Sequence, residues 1–198
     1  MIPKKLLLVL LTTICIAQNN TTTALQFQEQ LNKDYANTEK SPLLKTDLAT
    51  FKTLDFYPIN EKYCVDALVV LIKNPVVFAM KTATSRLPKY KKYAQLFFTI
   101  DGKEYTLFAY QNIDLLKQKE FKDYLFLPFS DLTNGIESYI GGRYIDLRIP
   151  ITNQIKIDFN KAYNPYCAYN YAYSCPIVPQ ENELKVAILA GVKKFHDN

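Results

Sequence analysis

Apolar and polar residues change period several times along this chain, and each change marks an expected element. Apolar or aromatic side chains recur at 25, 27, 31 and 35, which places them along one side of a helix over residues 25–37, closed by Ser41-Pro42. Residues 48–58 and 63–72 are rich in Val, Leu, Ile and aromatics, with Pro58-Ile59-Asn60 as a turn between them, and read as strands. Residues 96–100 and 104–110 flank Asp101-Gly102, a pair that supplies the positive φ angles of a tight hairpin turn. A charged stretch at 113–123 reads as a short helix, followed by the apolar run 124–129.

A second hairpin is expected from 143–149 and 155–160. Ile145, Leu147 and Ile149 alternate with Tyr144, Asp146 and Arg148, and Ile155, Ile157 and Phe159 alternate with Lys156, Asp158 and Asn160, so each strand has one apolar and one polar face. Opposite charges facing each other favour a register that pairs Asp146 with Lys156. Residues 184–189 read as a closing strand ended by Gly191. The expected fold is a β-rich α+β domain of mainly antiparallel sheet, in the form of a partly closed barrel, with an N-terminal helix packed on it.

Composition narrows the setting. The chain has 198 residues, 48% hydrophobic and 22% charged, with fifteen Tyr, twelve Phe and no Trp, which suits one globular domain carrying its aromatic mass in the core and on cleft rims. Lys4 and Lys5, the apolar run 6–16 and the small-residue site Cys15-Ile16-Ala17 read as a secretion signal cleaved before Gln18. That leaves residues 18–198 as the exported domain, periplasmic or extracellular. The apolar run is short of the roughly 20 residues a membrane span needs, and bulky Ile14 argues against lipid attachment at Cys15. Removing Lys4 and Lys5 lowers the formal charge from +5 to +3. Lys89–Lys92 with Tyr90 and Tyr93 is the one basic-aromatic cluster, read as a solvated loop after Pro88, so nucleic acid is not an expected partner.

Cys64, Cys167 and Cys175 remain in the exported part. Cys64 sits in an apolar run and is expected to pack as a small hydrophobe. Cys167 and Cys175 share one Tyr-rich loop and are the expected disulfide, worth about 2.5 kcal/mol by loop closure. The spacing has none of the paired clustering of a zinc knuckle.

From residue 126 onward the series becomes distinctive. Phe126-Leu-Pro-Phe-Ser-Asp-Leu-Thr-Asn-Gly135, Glu137-Ser-Tyr139, Gly141-Gly-Arg-Tyr-Ile-Asp146, Asp158-Phe-Asn160, Ala162-Tyr-Asn-Pro-Tyr-Cys-Ala-Tyr169, Ser174-Cys-Pro176, Glu181-Asn182 and Ala190-Gly191 follow in order. Together with Ser41-Pro42-Leu43, Phe51 to Phe56 and Tyr93 to Gly102, this series resembles a bacterial family catalogued as domain of unknown function 1684. The resemblance covers most of the exported part and implies membership without an activity. The chain departs from the family pattern at Ile140, where a glycine is common, and at Val192, where an acid is common.

Much chemistry is excluded. The single histidine, His196, lies two residues from the end, which removes His-based nucleophile systems and metal sites. Gly141-Gly142 has neither a P-loop lysine nor dinucleotide-binding spacing, and Asp158-x-Asn160 lacks the rest of a calcium loop. No cofactor or metal is expected. What remains is carboxylates (Glu137, Asp146, Asp158, Glu181), amides (Asn160, Asn164, Asn182), Arg143 and many tyrosines. Glu137 and Asp158 are the expected acid/base pair. Arg143, Tyr144, Asn160, Tyr163 and Asn164 are the expected ligand-binding set, with the Arg143 fork gripping an anionic group. Each has a plain structural alternative: Arg143 paired with Glu137, Asp158 capping the loop after it, and Asn164-Pro165 forming a turn. A small polar or anionic molecule is the expected ligand. The rivals are a non-catalytic envelope module holding a glycan, peptide or protein on an exposed Tyr loop, and a purely structural polar network.

Overall fold

The computed structural model describes residues 22–196. Seven strands follow an N-terminal helix, α1 (residues 22–36), and a single helical turn, α2 (Lys45–Leu48). They are β1 (Cys64–Leu71), β2 (Val77–Ala79), β3 (Lys89–Ile100), β4 (Lys103–Asn112), β5 (Tyr124–Phe129), β6 (Arg143–Arg148) and β7 (Gln154–Asp158). All neighbours are antiparallel, in the order β6-β5-β4-β3-β1-β7, with β2 added alongside β3. The sheet curls into a half-barrel, as expected of a β-rich α+β chain. Among the described residues, no helix is long and apolar enough to cross a membrane. The expected signal segment and its cleavage point at residues 17–18 lie outside the described residues.

The β3–β4 hairpin forms as expected and is longer than the apolar runs alone indicate. Asp101 and Gly102 take φ of 51° and 74°, the doubly positive pair that matches strand twist. Lys89–Lys92 begins β3 and is not a loop, and Tyr90 there is buried. The register slips between Lys92 and Ala94, so one strand carries an extra residue. This bulge exchanges the two faces. Beyond it Leu96, Phe98, Leu107 and Ala109 fill the half-barrel interior with Leu125, Leu127, Ile145 and Ile157. Before it Tyr90 and Tyr110 turn outward to join Met80, Phe126 and Tyr144 in a second, aromatic cluster.

The second hairpin does not form. β6 pairs with β5 (Asp146 opposite Phe126) and β7 pairs with β1, so the two strands end opposite edges of the half-barrel. Lys156 does face an aspartate, but it is Asp66 at 3.0 Å on β1. The expected strand at 48–58 is mostly irregular, with Phe56 bridged to Val192. The expected helix at 113–123 is two short 3₁₀ turns, and the expected strand at 184–189 is an irregular strap.

α1 buries Ala24, Gln28 and Tyr35 at helical spacing and turns Leu25 out. Gln28 Nε2 donates to the Asn160 carbonyl at 3.0 Å, and the Tyr35 ring meets Tyr169 edge-on at 4.9 Å. These contacts hold α1 against the tyrosine- and cysteine-bearing connection that follows β7.

Candidate functional site

Alternation along β6 divides its side chains between two roles. Arg143 shares a side with Ile145 and Leu147, so a guanidinium points into the closed end of the half-barrel interior. There it is fully buried. Nη2 donates to Asp131 Oδ2 at 2.7 Å and to the Ile188 carbonyl at 2.9 Å, and Nη1 donates to the carbonyls of Ala190 and Val192. The Asp131 side chain is equally buried, and its Oδ1 accepts from the Thr133 amide and hydroxyl and from the Ile188 amide. Arg143 thus ties the 184–192 strap to the 130–138 loop, and its expected partners, an anionic ligand or Glu137, are replaced by Asp131. A buried guanidinium with this many carbonyls around it is not available to a ligand.

Three other expected site residues are committed to the frame as well, and a fourth, Glu137, stands apart. Asp158 caps the turn after β7, its Oδ1 accepting from the Asn160 amide (3.1 Å) and side chain (2.9 Å). Asn160 clasps the Asn60 backbone with both ends of its amide, at 2.9 and 3.0 Å. Asn164 is buried and donates to the Lys193 carbonyl at 2.8 Å. Glu137 stands exposed beside Tyr57, on the rim of a different depression that Lys62 and Leu189 also border. Glu137 and Asp158 therefore line no common cavity.

Tyr144 and Asp146 occupy the other side of β6, and the connection after β7 folds over them. Tyr144 and Tyr163 exchange both backbone hydrogen bonds, at 2.9 and 3.0 Å, and the Tyr144 hydroxyl donates to the Pro176 carbonyl. Between this connection, the sheet and α1 lies a cavity of about 400 Å³. The sheet contributes Tyr90, Tyr124, Phe126, Tyr144 and Asp146, and α1 contributes Phe27 and Leu31. Tyr163, Tyr166, Tyr173 and Cys175 close it from the connection. The volume falls within the roughly 300–1,000 Å³ of small-molecule sites, and the composition is the usual one, apolar and aromatic walls with a few placed polar groups.

Asp146 is the sole charged side chain in that lining. Its Oδ1 accepts from the hydroxyls of Tyr124 and Tyr163, each at 2.7 Å. Burial, with the Asp146 carboxylate beside them, pushes both phenols up from their ordinary range, and burial does the same to Tyr144. All three hydroxyls therefore keep their protons and spend them on wall groups. Two of the expected ligand-binding residues, Tyr144 and Tyr163, do border the cavity. Sequence reasoning named Asp146 among the carboxylates without giving it the site, and it gave no role to Tyr90, Tyr124, Phe126 or α1. The available signal was parity: Asp146 is the acid that shares a strand face with Tyr144.

Cys64, Cys167 and Cys175 are all free thiols, so the expected Cys167–Cys175 disulfide is not formed in this structure. The two thiols adjoin nonetheless. Cys175 Sγ accepts from the Cys167 amide at 3.1 Å, and Cys167 Sγ faces the Tyr139 hydroxyl at 3.8 Å. The hydrogen bond from the Cys175 thiol, with help from Tyr139, lowers the Cys167 thiol to about 7, and Cys175 is pushed up in turn. Cys64 is only half-buried, and burial raises it to about 11. Among the described residues, no three His, Cys, Asp or Glu side chains converge where a metal ion would fit.

The fold recurs in an uncharacterised protein of Haloarcula marismortui solved in solution by NMR. That chain is 31% identical, with a TM-score of 0.68, over 87% of this chain and 92% of its own. No curated protein matches. The family model described as protein of unknown function (DUF1684) matches residues 49–193, which takes in every strand, the Arg143–Asp131 hub and the loop wall of the cavity. The chain belongs to that family.

Proposed function

We propose that this protein binds a small molecule in the aromatic cavity over β6, with Asp146 as its principal polar contact. The observation that carries the reading is the convergence of three separate elements, α1, the sheet and the 163–176 connection, on one cavity with one carboxylate. The tyrosines separate this from an adhesive-rim role. Tyr144 and Tyr169 are buried and Tyr163 points to Asp146, leaving Tyr171, 86% exposed, and Tyr166, 46% exposed, as the outward rings of the loop. The role is binding without the acid/base pair expected from Glu137 and Asp158, since neither reaches the cavity. Filling the cavity tests it. Ligand-observed NMR against a fragment library should yield binders that are lost in Leu31→Trp on α1 and in Leu115→Trp, which lines the cavity from the 3₁₀ turn after β4, with thermal unfolding confirming that each folds. A library without binders, or binders indifferent to both tryptophans, would overturn the proposal.

Export and oxidation belong to the same proposal. The basic start, the apolar run 6–16 and the Ala17-Gln18 site support secretion, and the adjoining thiols support closure of Cys167 to Cys175 once outside. Closure would pass two electrons to a disulfide oxidant and release two protons. Intact mass of the exported protein decides both: it should begin at Gln18 and be lighter by two hydrogens than after reduction. A retained leader refutes the first, and an unchanged mass on reduction refutes the second.

A further inference from the structure

We infer that the ligand of this cavity is an organic cation, an ammonium or N-alkylated ring whose positive nitrogen is wrapped in apolar substituents. The inference rests on the binding role proposed above and adds the sign and shape of what is bound.

The first argument is an inventory of what the walls offer. Positive side chains are absent from the lining, and Asp146 supplies its one carboxylate. Its Oδ1 accepts from two tyrosine hydroxyls. The protons of Tyr124, Tyr163 and Tyr144 all point into wall acceptors. Phenolic oxygens whose protons are spent present lone pairs. The lining's other hydroxyls, of Tyr90, Tyr166, Tyr173 and Ser174, are neutral donors only, and an anion entering here would also meet π faces, lone pairs and a carboxylate. A cation would find those last three attractive.

The second argument is the orientation of the rings. Tyr144 stands nearly perpendicular to Phe126 (77°, centroids 4.7 Å apart) and to Tyr163 (87°, 6.0 Å). Tyr90 is tilted by 43° against Phe126 at 5.8 Å. Neighbouring rings that turn through large angles form the sides of a box and present faces from several directions. That is the geometry in which the ring quadrupoles add at a central positive charge. A flat neutral ring would be better served by parallel walls.

Of the nearby cations, Lys156 and Lys161, which line a second depression with Asp146, pair with Asp66 at 3.0 Å and Asp158 at 3.9 Å, and Arg86 keeps its charge outside the cavity lining. Arg148 lies 5.8 Å from the Tyr124 ring but pairs with Asp123 at 2.7 Å, and Arg86 donates to the Ser174 carbonyl at 2.7 Å. Asp34 acts on Tyr166 from the α1 side. The chain as a whole is positive, so cation selectivity has to arise inside the site; charges more than about 10 Å away are largely screened at ordinary salt.

The test compares three probes of similar size by isothermal titration calorimetry or protein-observed NMR: benzyltrimethylammonium, its neutral carbon isostere neopentylbenzene, and the anion 3-phenylpropanoate. The cation should bind at least about tenfold more tightly than the neutral isostere, and the anion more weakly than either. Asp146→Asn keeps an oxygen for Tyr124 and Tyr163, so it should fold. It should weaken the cation by about tenfold and leave the neutral probe unchanged. The inference is overturned if the cation binds no tighter than the isostere, including the case in which neither binds, or if Asp146→Asn affects both probes equally. Neutral or anionic probes that bind at least as tightly as the cation and are expelled by Leu31→Trp would sink this inference while leaving the small-molecule reading standing.

Discussion

Removing the Arg143 guanidinium while keeping its bulk should cost more stability than any other single surface-neutral change in this fold. Arg143→Met is the cleanest form. It leaves the Asp131 carboxylate, whose side chain has no solvent exposure, without its cation, and it strips donors from the carbonyls of Ile188 and Ala190. Breaking a buried pair from one side costs about 3–5 kcal/mol. Each orphaned carbonyl costs about 1–3 kcal/mol on its own, but the terms share a cause and do not add in full. A loss near 4 kcal/mol is a large share of the roughly 5–15 kcal/mol that holds a domain together. At about 2–4 °C per kcal/mol for a chain of this size, the melting temperature should fall by roughly 6–20 °C. Asp131→Asn preserves the Oδ1 bonds to Thr133 and Ile188 but leaves the guanidinium uncompensated, so it should destabilise as well. The double variant Arg143→Met with Asp131→Asn should lose less than the two singles together, by about 1–3 kcal/mol. Urea denaturation of the four proteins measures this. A melting shift under about 3 °C for Arg143→Met, or strict additivity, would refute the view of Arg143 as a buried tie.

Three further outcomes are expected. Gly191 and Gly102 both have positive φ (78° and 74°), but an added Cβ would lie 2.6 Å from the Ala162 carbonyl oxygen at Gly191 and meet nothing within 4 Å at Gly102. Gly102→Ala should therefore cost about 1–2 kcal/mol of backbone strain, with Gly191→Ala at least twice as damaging in the same denaturation assay. In the reduced protein, iodoacetamide should label Cys167 before Cys64, with a rate that rises through about pH 7 and levels off above it, because Cys167 is lowered to about 7 and Cys64 raised to about 11. The folded state gives up the Cys167 proton before the unfolded chain does, so this group's contribution to stability is present above the ordinary thiol range and is lost as pH falls towards 7; equal labelling of both thiols at pH 8 would contradict the assignment. Lys156→Ala, which breaks the exposed pair with Asp66, should change stability by less than about 1 kcal/mol.

What the sequence made legible was periodicity and local turn chemistry. Asp101-Gly102 fixed a hairpin because only a few residues tolerate two positive φ angles in succession. The alternation of Tyr144, Asp146 and Arg148 with Ile145 and Leu147 correctly assigned the two faces of β6. Alternation says nothing about which strand lies alongside. Pairing Asp146 with Lys156 satisfied the charge rule as well as the real pairing of Asp66 with Lys156, and the short 149–153 connection made a hairpin the economical reading. Instead Ile149 donates to the Asp123 carbonyl and Val69 to that of Asn153, each edge being claimed by an older neighbour in the sheet. The same parity placed Arg143 with the apolar set, which was the warning that its charge would be buried and matched internally. Its partner Asp131, twelve residues away across a loop, has no periodic signature. The cavity depended on the bulge near Tyr93, since one inserted residue decides whether Tyr90 faces the half-barrel interior or the cavity.

The α1 contribution to the cavity has a consequence for the family. The family match begins at residue 49, so Phe27 and Leu31 belong to a stretch outside it, whereas the carboxylate and most of the rings lie within. On the proposed reading, recognition is split between a shared floor and a side wall on α1, which Gln28, Asn32 and Tyr35 tie to the rest of the chain. A relative with a different leading helix could inherit the same electrostatic preference yet admit guests of another outline, so one scaffold would diversify its selectivity by exchanging fifteen residues at one end.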